Sequence, residues 1–159
     1  MEEILKILSK NGRTSIEEIA KRLDMQPEDV AGKIDQYEKD KVILGYQAVL
    51  NADKIEDNTV TGIIEVKLSP QRGTGFDAIA ERIYKFPEVQ LCYLISGDYD
   101  LLVIVEGKTL KDIAAFVSQR LSTQDHVHST ATHFILKKYK DFGTIMSDTE
   151  KQDRLAVAP

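Results

Sequence analysis

The sequence predicts an α+β fold made of an N-terminal winged helix-turn-helix and a C-terminal ferredoxin-like βαββαβ domain. Residues 1–41 contain three short stretches with apolar residues at helical spacing, separated by turn signals. Residues 60–139 instead follow the order strand, helix, strand, strand, helix, strand. That order implies an antiparallel sheet with both helices on one face.

Composition narrows the class of protein before any motif is considered. A chain of 159 residues with 42% apolar and 30% charged residues is typical of a soluble globular protein of one or two small domains. It has no apolar run near the roughly 20 residues of a membrane span, and its N-terminus is acidic where a signal peptide would be basic. We therefore expect a cytoplasmic protein without membrane contact. Cys92 is the only cysteine, so no disulfide or thiolate cluster is expected, and no metal or cofactor is predicted.

The three N-terminal helices carry recognisable start and stop signals. Gly12 is expected in the left-handed position after the first helix. Ser15 and Glu18 have the spacing of a capping box for the second helix, and Pro27 suits the first position of the third. So short a turn between the last two helices suggests a helix-turn-helix, whose final helix enters the DNA major groove. Three-helix units also serve as plain interaction modules.

The composition changes after the third helix. Residues 41–51 become extended in pattern and predict a small β-wing, whereas residues 52–59 are polar and irregular. The predicted domains are therefore a winged helix-turn-helix at 1–50, a linker at 51–59, and a βαββαβ domain at 60–142. A mostly charged tail at 143–159 is either loose or adds a short edge strand.

The second domain has clear strand and cap signals. Val60–Leu68 alternates as a strand, Thr74 and Asp77 can cap one helix, and Thr109 with Asp112 can cap the other. The strands Val89–Ile95 and Leu101–Val105 are apolar at nearly every position, so both of their faces should be covered. Because the helices cover one face only, we expect a second copy of the chain on the other, which predicts a dimer.

The two apolar strands are joined by Ser96–Asp100, a turn with a glycine, two carboxylates and a phenol. Gly97 permits a tight turn and brings backbone N–H groups within reach of a small ligand. The simpler interpretation is a hairpin connection with no ligand.

Three segments together resemble the Lrp/AsnC ("feast/famine") family of bacterial and archaeal transcription regulators. They are NGRTSIEEIAKRLDM, KVILGYQAVLN and LISGDYDLLVIVEG, and the resemblance covers residues 1 to about 142. It implies a non-enzymatic, amino-acid-responsive regulator that binds double-stranded DNA and forms homodimers, often rings of four dimers, with the effector between dimers in the effector (RAM) domain. The positions that match the family's effector site are Gly97, Asp98, Tyr99, Asp100, Thr130 and Thr132.

The chemistry of these residues suits an amino acid. A free amino acid is a zwitterion, so its site needs an anion for the ammonium and donors for the carboxylate. Asp98 or Asp100 can supply the anion, and the amides of the Gly97 turn with Thr130 or Thr132 can supply the donors.

The third helix departs from the family pattern. Residues 26–39 hold four carboxylates against two lysines, a net charge of −2 on the helix expected to approach phosphates. Weak DNA binding is predicted unless several heads act together. Gln26 and Lys33 are candidates for base contacts, and Gly32 is expected to allow close packing. The candidates for phosphate contacts are Arg13, Lys21, Arg22, Lys33, Lys39 and Lys41.

Two rival functions remain open from the sequence. His126, His128 and His133 lie on or beside the last strand, and sirohaem decarboxylases, which resemble these regulators, bind a tetrapyrrole with histidine and arginine. A strand histidine is more often structural, and the spacing matches no helical metal motif. The acidic third helix favours a second rival, an effector-sensing co-regulator with weak or no DNA binding.

Overall fold

The computed structural model describes residues 2–51, 54–55, 59–69 and 75–146. The chain divides into two compact units between Leu50 and Asn51. Within the described part, no helix combines the length and apolar character needed to cross a membrane.

The N-terminal unit is a three-helix domain, as predicted. Its helices are α1 (Glu3–Lys10), α2 (Ile16–Leu23) and α3 (Pro27–Lys39). Pro27 takes the first turn of α3, where its missing N–H costs no hydrogen bond. Each helix contributes at least one apolar residue to a single core, formed by the buried side chains Ile4, Ile19, Ala20 and Val30.

The caps of this unit follow the sequence only in part. The Ser15 hydroxyl accepts a hydrogen bond from the Glu18 amide at 3.2 Å, which confirms the N-cap. The Glu18 carboxylate pairs with Arg22 instead of reaching back to Ser15. The left-handed assignment of Gly12 is wrong, because its φ is not positive. A Cβ on Gly12 would meet Cδ1 of Tyr46 at 2.9 Å, so glycine makes room for that ring.

The segment after α3 forms no paired strand. No strand is assigned between Lys41 and Leu50, so the predicted β-wing is not a strand within this chain. The backbone amides of Val42 and Ile43 both donate to the carbonyl of Tyr37, which turns the chain at the end of α3. A strand needs a partner, and none of the other described segments of this unit is a strand. Leu44 is left 86% exposed.

The C-terminal unit contains the predicted βαββαβ fold. Its four-stranded sheet is antiparallel throughout, in the order β2-β3-β1-β4. A π-helical turn, Val117–Leu121, follows the second helix of the unit. The elements are β1 (Val60–Leu68), α4 (Asp77–Tyr84), β2 (Val89–Leu94), β3 (Leu101–Gly107), α5 (Leu110–Phe116) and β4 (Val127–Phe134).

One face of the sheet is covered by both helices, as the element order requires. Alternate residues of β1 and β3 are buried against α4 and α5 in one core, whose members include Ile64, Val66, Val103, Ile79, Ile83, Ile113 and Phe116. The Thr109 hydroxyl caps α5 by accepting from the Asp112 amide at 3.1 Å, as predicted. Asp77 does not cap α4, because Phe76 occupies the N-cap position, and Thr74 lies outside the described residues. Leu110, at the start of α5, is exposed although its apolar side chain would be expected to face the core.

The last strand is shorter than the sequence pattern predicts, since that pattern extends it to residue 139. β4 stops at Phe134, and a short hairpin follows, with strands β5 (Lys140–Asp141) and β6 (Thr144–Ile145). The side-chain amide of Asn51 donates to the carbonyl of Met146 at 3.3 Å, and Met146 is buried. The predicted tail therefore begins inside an ordered hairpin.

The other face of the sheet carries a second set of apolar side chains. We call it the outer face, and the strand registers place on it Ile63, Leu91, Tyr93, Leu102, Ile104 and Ala131. These side chains are half-buried or exposed. The prediction that the second and third strands are apolar on both sides is therefore confirmed. Cys92 points to the core side, and burial raises the pKa of its thiol, which suits a packing role.

Gly32 is a position where substitution should stabilise the N-terminal unit. It lies in the middle of α3, and nothing stands within 4 Å of a Cβ added there, so the predicted close packing is wrong. Gly32→Ala should raise the free energy of unfolding by about 1 kcal/mol through helix propensity. Chemical denaturation of the full chain, followed by helical circular dichroism, measures this. Gly12→Ala is the matched control and should destabilise the same unit, and a loss of stability in Gly32→Ala would contradict an open face.

Candidate functional site

The turn between β2 and β3 is tied to the end of β1. The Asp100 amide donates to the Val66 carbonyl at 3.0 Å, and its carboxylate accepts from the Leu68 amide at 2.7 Å. Ile95 closes the turn by donating to the Asp100 carbonyl at 2.9 Å. Gly97 has φ 142°, a conformation that side chains disfavour. The turn is therefore a fixed structure at one end of the sheet.

The two aspartates of this turn have different surroundings. Asp100 is half-buried and already holds a backbone N–H of β1. Asp98 is exposed, and no hydrogen bond or ion pair of its carboxylate occurs within the described ranges. Tyr99 lies half-buried between them. Asp98 thus presents an uncommitted anion, whereas Asp100 holds the turn in place.

The threonines of the predicted site lie on β4. Thr130 stands opposite Val66 and Thr132 opposite Ile64, so both are on the helix side of the sheet and both are half-buried. The structure brings Thr130 to the same end of the sheet as the turn, since both adjoin Val66. Thr132 lies two residues further from that end, roughly 7 Å along the strand.

Two groups at this end of the sheet were not predicted. The Ser122 hydroxyl is 3.3 Å from that of Thr130, and the Leu68 amide binds Asp100. Ser122 follows the π-helical turn, a feature that often accompanies functional sites. The closeness of Ser122 to the end of the sheet could have been inferred from the sequence, because only a few residues connect the π-helical turn to β4. The register irregularity between Lys67 and Leu68, beside the Asp100 contact, has no sequence signal.

The three histidines do not gather into a metal site. His133 Nε2 lies 3.6 Å from Glu65 Oε2 on the outer face, and the His126 carbonyl accepts from the Ser69 amide at 2.8 Å. His128 is exposed on β4. Among the described residues, no group of three or more histidine, cysteine, aspartate or glutamate side chains is placed to hold a metal ion.

The N-terminal unit holds the second set of predicted site residues. Lys33 lies 3.9 Å from Glu2, which also accepts a hydrogen bond from Tyr37, and that bond raises the pKa of the tyrosine hydroxyl. Arg22 is paired with Glu18. Both pairs are exposed, so each holds its cation only weakly.

The remaining candidates are uncommitted. Arg13, Lys21, Lys39 and Lys41 are exposed and make no ion pair with a described carboxylate. Gln26 is the N-cap residue of α3, but its side chain makes no cap hydrogen bond and is exposed. Among the predicted DNA contacts, four free cations and one free amide per N-terminal unit are therefore available to a polyanion.

Both units of the chain match families of known proteins. The Lrp/AsnC ligand binding domain profile matches residues 61–145, and a winged helix-turn-helix DNA-binding profile matches residues 2–43. The chain is 48% identical over 158 residues to an uncharacterized HTH-type transcriptional regulator of Bacillus subtilis, YugG, covering 99% of this chain and 95% of that protein. It is 31% identical over 137 residues to the HTH-type transcriptional regulator LrpA of Pyrococcus horikoshii, covering 86% and 94%.

A solved structure shows the same fold. The transcriptional regulator NMB0573 of Neisseria meningitidis, in complex with L-Met, superposes with a TM-score of 0.71 at 22% identity, covering 91% of this chain and 96% of that one. A helix-turn-helix unit joined to a ligand-binding sheet defines a DNA-binding transcriptional regulator with an effector domain. The chain belongs to the Lrp/AsnC family of transcriptional regulators.

Proposed function

We propose that this protein is a cytoplasmic regulator whose affinity for its DNA operator is set by an amino acid bound at the β2–β3 turn. The observation that carries this proposal is the fixed turn with its exposed carboxylate, Asp98, at the same end of the sheet as the Thr130 and Ser122 hydroxyls. An anion and neutral donors are what the two ends of a zwitterion need. The L-Met bound to NMB0573 supports this ligand class.

The regulator acts as a dimer in this proposal, and as an octamer where four dimers close into a ring. The outer face supports the dimer, because β1, β2, β3 and β4 all place apolar side chains on it around the Glu65–His133 pair, while the helices of this unit pack on the opposite face. Exposed apolar patches of this kind on a sheet mark interaction surfaces. The effector site then lies between dimers, so the exposed side of the turn at Gly97 and Asp98 would meet a neighbouring dimer.

DNA binding should show a moderate salt dependence. A dimer has about six to eight usable cations, because each unit offers Arg13, Lys21, Lys39 and Lys41, so log K against log[salt] should have a slope of roughly −5 to −7. Lys39→Gln should reduce the steepness by about 2 in a dimer, one phosphate contact per unit. Fluorescence anisotropy on a duplex from the protein's own promoter measures both.

Lys6→Gln is the matched control for this prediction. Lys6 is already paired with Glu3 on α1, so its loss should leave the slope unchanged. Equal effects of Lys39→Gln and Lys6→Gln on the slope would show that DNA binding depends on the overall charge of the protein and not on the predicted contacts.

The acidic third helix favours one alternative, an effector-sensing co-regulator. The exposed residues of α3 include Glu28, Asp29, Asp35 and Glu38, and the nearest lysine, Lys33, is offset by Glu2. A gel-shift at low salt on the promoter fragment separates the two functions. Retarded DNA supports the regulator, and complete absence of retardation supports the co-regulator.

A further inference from the structure

The N-terminal half of α3 exposes an unusual pair of residues. Glu28 and Gly32 are one helical turn apart and therefore share a side of the helix. Both are exposed, whereas Val30 between them is fully buried in the core of the unit. Nothing lies within 4 Å of the place where a Gly32 side chain would begin. The outward side of α3 therefore has an open space at position 32, one turn after an exposed carboxylate.

The Glu28 carboxylate is also uncommitted. Glu2 and Glu18 each hold a cation of their own unit, Lys33 and Arg22, but Glu28 takes part in no hydrogen bond or ion pair with a described residue. Glu28 lies in the first turn of α3, where its negative charge interacts favourably with the positive end of the helix macrodipole. That role explains an acidic residue at this point but leaves both oxygens free to accept hydrogen bonds outward.

Major-groove chemistry limits what such a carboxylate can bind. It can only accept hydrogen bonds, and the major groove offers donors only at the N4 amino group of cytosine and the N6 amino group of adenine. Next to the adenine amino group lies the N7 acceptor, which repels a carboxylate. Cytosine is therefore the base that Glu28 tolerates best, and the N-terminal residues of a recognition helix are those that reach base edges.

We propose that Glu28 accepts a hydrogen bond from the N4 amino group of a cytosine, so that each N-terminal unit selects a G·C pair at one operator position. Gly32 permits this contact, because the absence of a side chain at this position lets the helix approach the floor of the groove. The same carboxylate repels phosphates, which weakens binding to unrelated sequences. This assignment rests on the proposed function as a DNA-binding regulator.

A selection experiment tests the assignment with the full-length protein. Wild type, Glu28→Gln and Asp35→Asn are each used to select duplexes from a random pool at low salt, and the selected pools are sequenced. Glutamine suits adenine, since it can both donate to N7 and accept from N6. Glu28→Gln should therefore replace a selected cytosine by adenine at one position in each half-site. Measured on duplexes that differ only there, the base preference should change by roughly 5- to 150-fold.

Asp35→Asn is the matched control. It removes one exposed carboxylate from the same helix, seven residues or roughly 10 Å further along, in the half distant from the bases. It should strengthen binding to all duplexes alike and leave the selected cytosine unchanged. Gly32→Leu should fold, because its site is open, and should lose the preference at the Glu28 position.

The outcomes separate this assignment from the proposed function. Selected pools with cytosine unchanged in Glu28→Gln, or the same base change in Asp35→Asn, overturn the role of Glu28 while DNA binding stands. Retention of the preference in Gly32→Leu overturns the close approach of the helix. A wild-type protein that retains no duplex at all overturns the proposed function and this assignment with it.

Discussion

Leu102→Asp should convert the proposed dimer to a monomer. Leu102 lies on the outer face in register between Glu65 of β1 and Tyr93 of β2. A carboxylate there costs the isolated chain little, because the side chain is partly exposed. In a dimer each of the two chains would bury one such carboxylate beside its own Glu65. Each unpaired buried charge costs several kcal/mol. The dissociation constant should rise by at least about 1,000-fold, which sedimentation velocity measures.

The control for this substitution is Leu110→Asp. Leu110 is an exposed leucine in the first turn of α5, on the opposite side of the sheet, where an acidic residue suits the helix. It should leave the dimer intact. A wild-type protein that sediments as a monomer of 17.9 kDa at micromolar concentration would contradict the dimer and the interpretation of the outer face.

Asp98→Asn should weaken amino-acid binding by roughly one to two orders of magnitude. Asparagine has no negative charge to pair with the ligand's ammonium group. The charge-assisted contact that is lost is worth roughly 1.5–3 kcal/mol. Folding should survive, because asparagine adopts the same turn conformations. Isothermal titration calorimetry of the assembled protein against a panel of amino acids measures the loss.

Two further substitutions show which residue does what in this site. Asp100→Asn should cost less affinity than Asp98→Asn, because its amide oxygen can still accept from the Leu68 amide and keep the turn in place. Thr130→Val should cause a smaller loss, at the end of the site that meets the ligand's carboxylate. If an amino acid binds and all three variants keep wild-type affinity, the turn has only a structural role and the effector binds elsewhere.

The fold could be predicted because its signals are local and periodic. The alternation of β1 and the Thr109 cap were each readable from a few neighbouring residues, and both are present in the structure. The β-wing could not be judged in this way, since an extended pattern such as Leu44–Tyr46 forms a strand only if another strand is beside it. Gly12 was misjudged for a related reason: its constraint is the ring of Tyr46, which is distant in sequence.

The candidate site shows the same division. The Gly97–Asp100 turn could be found from its residue types. However, Asp98 and Asp100 cannot be told apart as ligand contacts from the sequence alone. Only the register of β1 against β3 shows that Asp100 is held by Leu68 while Asp98 is not. Likewise, charge counting identified α3 as acidic, but the pairing of Lys33 with Glu2 depends on how the start of α1 lies against α3.

The most direct test of the central claim measures operator affinity with and without a bound amino acid. Fluorescence anisotropy would follow the selected duplex while each amino acid that binds by calorimetry is added at saturation. Linkage requires that an effector shift DNA affinity by the factor by which DNA shifts effector affinity, commonly about 5- to 150-fold. We predict such a shift for at least one amino acid, in both directions of the measurement, and its loss in Asp98→Asn at the same ligand concentration. Unchanged DNA affinity with every amino acid that binds would contradict the account.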